Sequence, residues 1–370
     1  MNLYLTADEV GIETGGGKVT YEEYDALKSL GETQLISRKE LEREENTIEV
    51  DTPWLWDRRA YYHFGNQIKL AHIYAGTFSD CVGKLKANGT KVTYTAAAHD
   101  VNLSRREHEK LGVPYDYPHL TDLELLKRYL KGYLDADVLI CPSQHSADVM
   151  RAFGATNRIE IIPHGIHLPT VIKPFPQRFT VGYLGSCGAP DKGLIYLLQA
   201  WKQLNYKDAV LVLGGSDSTS PWARHLINTY GGGNIWCKGW IRDVADFYNE
   251  ITLYVQPSVS EGFGIEVLEA MSYGRPVICS KGAGASDVVY DAMKFNAGDV
   301  DGLVRQISWS RAMIFVDTAA APIASGGPHL NMIGSGLLNT ECIRQRAADY
   351  TWDKVKARYV ALWKSLLEVT

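Results

Sequence analysis

Short apolar runs alternate with longer amphipathic stretches along the whole chain, and no other feature limits the fold so strongly. Such a run, bounded by turn residues and followed by a helical pattern, marks a parallel strand buried on both faces and its covering helix. In the first half the runs are Asn2–Leu5, Thr33–Ser37, Leu70–Tyr74, Lys91–Thr95, Val138–Pro142 and Ile159–Pro163. In the second half they are Phe179–Tyr183, Ala209–Leu213, Asn234–Lys238, Leu253–Gln256 and Pro276–Ser280. The two sets meet at His164–Arg178, which carries Pro169, Pro174 and Pro176. Proline restrains itself and the residue before it, which suits a linker. The expectation is an α/β chain of two doubly wound, Rossmann-like domains, residues 1–170 and 171–351. A length of 370 residues agrees with two domains.

Charge and cysteine usage narrow the class. The net charge of −5 gives no reason to expect nucleic acid as a partner. Cys81, Cys141, Cys187, Cys237, Cys279 and Cys342 are scattered, without a C-x-x-C pair, and most fall in or beside apolar runs. They read as buried thiols of a reducing compartment. The segment Met1–Glu9 has no basic region and reads as a first strand, not a signal peptide. No uncharged apolar run reaches membrane-spanning length.

The chemistry concentrates in Ser258–Ile278. Glu261 follows the strand run Leu253–Gln256, and Glu269 comes eight residues later, about two turns into the helix that follows. Eight residues is close to two helical turns, so the two acids are expected on one side of the helix start. Gly262 and Gly264 let backbone N–H groups approach a ligand. Amides that meet an anion, with carboxylates that accept from hydroxyls, suit a polyhydroxylated ligand with a phosphate tail.

The ordered string Pro257-Ser258, Glu261-Gly262-Phe263-Gly264, Leu268-Glu269-Ala270-Met271 and Gly274-Arg275-Pro276-Val277-Ile278 resembles the signature of the retaining, family-4 glycosyltransferases of GT-B fold. The resemblance covers nearly the whole chain and is weakest over Arg38–Arg59 and Ala312–Asn339. It implies that the E-x7-E pair binds a nucleotide-sugar donor on the second domain. It also implies that the last helix, Trp352–Leu367, crosses back so that residues 352–370 complete the first domain.

Lys192 is the next candidate. It closes Val181–Gly193, which reads as a strand, a glycine loop and a helix from about Gly193. An ammonium beside a helix N-terminus makes a diphosphate site. The resembling family places an arginine just after the loop glycine Gly185, where this chain has Ser186. Gly182 and Gly185 do not make the dinucleotide glycine pattern. Gly15-Gly16-Gly17-Lys18 is not a P-loop, because Ile12 stands at the first glycine position and Val19 at the Ser/Thr position. The resemblance makes it a glycine loop on the acceptor side. His99 follows the strand Lys91–Thr95, at the edge where doubly wound sheets bind ligands; the resemblance has it face the sugar or acceptor. Asp135-Ala136-Asp137 and Asp299-Val300-Asp301 imitate a metal-binding D-x-D, but one leads into a strand and the other opens a helix as a cap. His164 and His167 read as structural. Trp54–Tyr62 reads as core packing with acceptor-cleft lining, and Ala312–Asn339, with Asp317 its only charge, as a remodelled insert.

The combined reading is a metal-independent, retaining glycosyltransferase without a cofactor. Glu261, Lys192 and His99 carry the chemistry. Glu269, Gly262, Phe263, Gly264, Ile265, Ser186, Gly185 and Arg242 line the donor. Gly15, Gly16, Gly17, Lys18 and Asp100 line the acceptor cleft. The partners are a UDP- or GDP-sugar and a glycan, lipid or small-molecule acceptor, in the cytoplasm, with peripheral membrane contact as a further expectation. Two other readings stay open: a regulatory nucleotide-sugar-binding subunit, favoured by Ser186, and a phosphorylase or epimerase of the same fold.

Overall fold

The structure, a computed structural model, describes residues 1–6, 10, 15–36, 65–75, 81–115, 123–315 and 339–368. In chain order the elements are β1 (Asn2–Leu5), α1 (Gly15–Lys28), β2 (Thr33–Ile36), β3 (Leu70–Ile73), α2 (Val82–Ala87), β4 (Lys91–Thr95), α3 (Val101–Leu111), α4 (Leu123–Asp135), β5 (Val138–Cys141), α5 (Gln144–Ala152) and β6 (Arg158–Ile161). The second series is β7 (Thr180–Leu184), α6 (Leu194–Leu204), β8 (Val210–Gly214), α7 (Pro221–Tyr230), β9 (Ile235–Gly239), α8 (Val244–Glu250), β10 (Leu253–Gln256), α9 (Ile265–Ser272), β11 (Val277–Ser280) and β12 (Lys294–Phe295). The chain then runs through α10 (Val300–Phe315), α11 (Thr340–Ala347) and α12 (Trp352–Glu368). All eleven expected strands are present, with edges displaced by two residues at most. β12 lies outside the expected set, because two residues are too few to show a period.

Residues 1–99, 116–165 and 352–370 form one compact unit; residues 100–115 and 166–351 form the other. The first unit holds a six-stranded parallel sheet in the order β2-β1-β3-β4-β5-β6. Leu3, Leu5, Ala71, Ile73, Val92, Tyr94, Leu139 and Cys141 are among its buried strand residues. α12 belongs to this unit, where Trp363 Nε1 donates to Thr93 Oγ1 at 3.1 Å and Lys356 pairs with Glu22 at 2.8 Å. Under α12 lies a buried polar knot. Glu23 accepts from Tyr4 Oη (2.8 Å), Thr95 Oγ1 (3.0 Å) and Tyr359 Oη (2.7 Å), and lies 3.1 Å from His72 Nε2.

The second unit holds a parallel sheet in the order β12-β11-β10-β7-β8-β9. Its first strand, β7, lies between β8 and β10, so the winding direction reverses at the β7–β10 pair. In doubly wound sheets the crevice at the carboxyl ends of such a pair is the usual ligand site. Strands β7, β8, β10 and β11 are almost wholly buried, as two-sided coverage requires. Arg275 is also buried, and donates to the carbonyls of Tyr248 (2.8 Å) and Lys173 (2.7 Å). Although α3 lies between β4 and β5 in sequence, it packs with this unit. Tyr196 of α6 donates to Glu107 and accepts from Lys110, each at 2.6 Å.

Of the six cysteines, all are free thiols; Cys237 and Cys342 are partly exposed, unlike the buried positions expected for the set. The stretch Trp54–Tyr62 and most of Ala312–Asn339 lie outside the described residues.

Candidate functional site

Two loops converge at the carboxyl ends of β7 and β10. The loop after β7 runs through a short 3-10 turn, Pro190–Lys192, to Gly193, and α6 starts at Leu194. Gly193 has φ +70°, and a Cβ there would stand 2.1 Å from the carbonyl oxygen of Pro257. Only glycine admits both the backbone angle and so close an approach. The loops are stitched by Val259 N–H, which donates to the Asp191 carbonyl at 2.7 Å. The second loop is braced from the other side, where Glu261 N–H donates to Gly282 O (3.0 Å) and Ala285 N–H to Phe263 O (2.7 Å). Ser260 Oγ accepts from the backbone N–H of Asp100 at 2.6 Å.

This scaffold brings Lys192 against Glu261. Their side chains form an ion pair and are 30% and 17% exposed, so the pair is largely but not wholly withdrawn from solvent. Burial opposes the charge of Lys192, yet Glu261 and then Glu266 outweigh it and push its pKa up. The ammonium is therefore a fixed cation. Glu269 takes a different partner: Tyr248 Oη donates to its Oε2 at 2.9 Å. The structure corrects the expected helical position. α9 begins at Ile265, so Glu269 is its fifth residue, about one turn in, while Glu261 lies in the loop before the helix, as expected. The helix starts late because Gly264, at φ +93°, turns the chain before the first helical residue. Gly264 offers no side-chain cap to that end, and the Glu266 carboxylate bonds to its own backbone N–H in the first turn.

Sequence reasoning missed Glu266. Burial first, and then neighbouring Glu261, push its carboxyl up to about 7 against the pull of Lys192. A carboxylate in a helix's first turn is ordinary, which is why nothing in the string marked it. The ordinary carboxyl value is 4.5, so between about pH 4.5 and 7 the folded chain holds a proton that the unfolded chain has released. Stability should fall across that window as pH rises, by up to about 1.4 kcal/mol per unit, and level off above it. Glu266→Gln is expected to flatten this slope and to be more stable than the native chain at pH 8. Denaturant midpoints from pH 4 to 8 check it, and equal slopes for the two proteins would refute it.

The family described as Glycosyl transferases group 1 matches residues 178–310. This part of the chain is a group 1 glycosyltransferase domain. A D-inositol 3-phosphate glycosyltransferase of Xylanimonas cellulosilytica is 24% identical over 246 residues, 60% of this chain and 55% of the relative. The O-antigen chain mannosyltransferase B of Escherichia coli is 39% identical over 79 residues, 19% of this chain and 21% of the relative. The chain thus spans about half or less of these relatives' lengths. Among solved structures, sucrose-phosphate synthase from Thermosynechococcus elongatus has a TM-score of 0.71 at 18% identity, each chain fully covered. Anabaena HepE, solved with UDP and glucose, has a TM-score of 0.63 at 14% identity, with 99% and 100% covered. At such identities these likenesses establish the fold, which is GT-B.

Within the group 1 domain, Gly262, Phe263, Gly264 and Ile265 form the turn into α9. The Phe263 side chain lies in the core, 3% exposed. Gly185 and Ser186 follow β7, and Ser186 Oγ donates to Asp217 Oδ2 at 2.8 Å. Arg242 stands exposed between β9 and α8 and has no hydrogen bond or ion pair to the Lys192 cluster. Asp100 caps α3 by accepting from the N–H groups of Asn102 and Leu103. His99, partly buried, ends the stretch after β4 in the first unit. Gly15, Gly16, Gly17 and Lys18 form the first turn of α1, not the loop expected of them. Both D-x-D pairs serve local structure. Asp137 accepts from Val92 N–H (2.7 Å) and pairs with Lys86 (3.0 Å), Asp135 pairs with Lys131, and Asp299 accepts from Gly302 N–H.

Proposed function

We propose that this chain is a retaining, metal-independent glycosyltransferase that moves a sugar from a UDP- or GDP-sugar to a glycan, lipid or small-molecule acceptor. The observation that carries the proposal is the Lys192–Glu261 pair beside the start of α9, at the winding reversal of a group 1 domain. A nucleoside diphosphate needs a fixed cation and pointed amides; in this reading Lys192 supplies the first and the loop into α9 the second. In the proposed reaction the glycosidic bond to the diphosphate breaks as the acceptor oxygen attacks from the same face and its proton passes to the leaving diphosphate oxygen, so configuration is kept and no protein nucleophile is used. Lys192 stabilises the charge that grows on the leaving diphosphate. Glu261 releases part of its hold on Lys192 and accepts from sugar hydroxyls, Glu269 accepts from the ribose, and His99 orients the sugar or acceptor. The free cysteines suit a reducing cytoplasm. No helix among the described residues is long and apolar enough to cross a membrane.

The test is a thermal-shift screen of nucleotide sugars, followed by transfer and donor-hydrolysis assays with and without a chelator. Ligand that binds the folded chain raises its melting temperature by mass action. A shift with turnover that survives chelation supports the proposal. A shift without turnover under any acceptor would favour the regulatory subunit, the reading that Ser186 supports by standing where a cation is expected.

Glu269→Ala should weaken the preferred nucleotide by at least about tenfold, since a hydrogen bond to a charged group contributes about 1.5–3 kcal/mol. Calorimetric titration decides this, and an unchanged affinity would take Glu269 out of the site.

A further inference from the structure

The loop after β7 contains an anion site that the protein fills by itself. Cys187 N–H donates to Asp217 Oδ1 at 2.9 Å, Gly188 N–H to Oδ2 at 2.6 Å, and Ser186 Oγ to Oδ2 at 2.8 Å. Two successive backbone amides and a hydroxyl aimed at one carboxylate form the kind of concave nest that elsewhere binds phosphate. The nest is set rigidly. Tyr183 Oη donates to the Ser186 carbonyl at 2.8 Å, and Gly185 N–H donates to Gly214 O at 3.1 Å. A Cβ on Gly188 would stand 2.8 Å from Asp217 Oδ2, so the carboxylate sits hard against the loop backbone. Asp217 comes from the β8–α7 connection, and β8 pairs with β7. The same loop leads, four residues after Gly188, to Lys192.

We infer that Asp217 determines donor affinity by holding the loop amides in place of a phosphate. The diphosphate is then carried by Lys192 and the first amides of α9 alone, and the loop contributes a negative charge where the proposed reaction would gain from a positive one. Asp217 thereby weakens the grip on the diphosphate, before and after transfer, and makes Lys192 the cation on which binding depends. This inference rests on the donor-site reading above.

The experiment uses the full chain, its Asp217→Asn variant and its Asp217→Ala variant. Asparagine keeps an acceptor oxygen for the loop and removes the charge; alanine also vacates the nest. Each protein is titrated calorimetrically with inorganic pyrophosphate, UDP and GDP at one ionic strength, with melting temperature measured alongside. The expected result is tighter pyrophosphate binding, by at least about fivefold, in both variants, because a like charge beside an anion is removed. The gain should shrink as salt is added. If alanine melts below the assay temperature, the asparagine variant decides alone. Native binding with equal or weaker binding by the folded variants would overturn the inference, making Asp217 a brace for the loop, and would leave the donor site standing. No binding of any of the three ligands by any of the three folded proteins would remove the donor-site reading and the inference with it.

Discussion

Glu23→Ala is expected to destabilise the first unit by about 3–5 kcal/mol, the cost typical of removing one partner from a buried polar pair. The carboxylate is wholly buried and serves four groups: Tyr4, His72, Thr95 and Tyr359. Alanine would leave three hydroxyls and an imidazole competing for acceptors in a site without solvent, and each unmet group costs about 1–3 kcal/mol. Burial alone would raise the Glu23 pKa, but His72 and the hydroxyl donors outweigh it and hold the carboxyl below the ordinary value of 4.5. A lowered folded pKa means that this carboxylate's contribution is complete above about pH 4.5 and is lost as pH falls through the folded value. Denaturant unfolding of native, Glu23→Ala and Glu23→Gln chains at pH 7 and pH 4 measures both effects. Glutamine should cost less than alanine, since one oxygen remains. A loss under 1 kcal/mol for alanine would mean that the knot relaxes or takes in water.

Lys192→Ala is expected to reduce sugar transfer at least about a hundredfold, the effect of deleting one preorganised electrostatic contact in a transition state. The native lysine is held charged by Glu261 and Glu266, so alanine leaves the Glu261 carboxylate at the diphosphate with no cation beside it, while Glu266, freed from the pull of Lys192, takes up a proton more readily. The loss should appear in kcat as well as in nucleotide affinity, because the charge on the diphosphate grows as the bond breaks. Single-turnover transfer with a saturating donor separates the two. Near-native turnover would return Lys192 to the role of a surface ion pair.

The sequence carried the architecture because parallel strands are buried on both faces and therefore stand out as apolar runs between helices. It located the site for a related reason. Lys192 and Glu261 are 69 residues apart, yet each follows the carboxyl end of a strand, and topology brings β7 and β10 together. What stayed hidden depends on side chains meeting across distant elements. Ser186 reads in the sequence as a missing cation, but its bond to Asp217, 31 residues away, leaves no mark in the local pattern. The Glu23 knot joins residues up to 336 apart. Glu266 was overlooked because only its neighbours, and not its own residue type, make it unusual. Gly15–Lys18 misled for the opposite reason: glycines that promise a loop are accommodated in the first turn of α1.

The excursion of α3 has a practical consequence. The unit that carries Lys192 and Glu261 is not one continuous piece of chain. Ile195, Tyr196 and Val259 are covered in part by Leu103 and Leu111 of α3. A fragment cut at the linker, residues 166–351, would start life with that apolar patch bare, with Tyr196 stripped of Glu107 and Lys110, and with Ser260 deprived of the Asp100 amide. Such a fragment should be sticky and should recover when a synthetic peptide spanning residues 100–115 is supplied, so that the excised helix acts as a removable cover for the half that holds the chemistry.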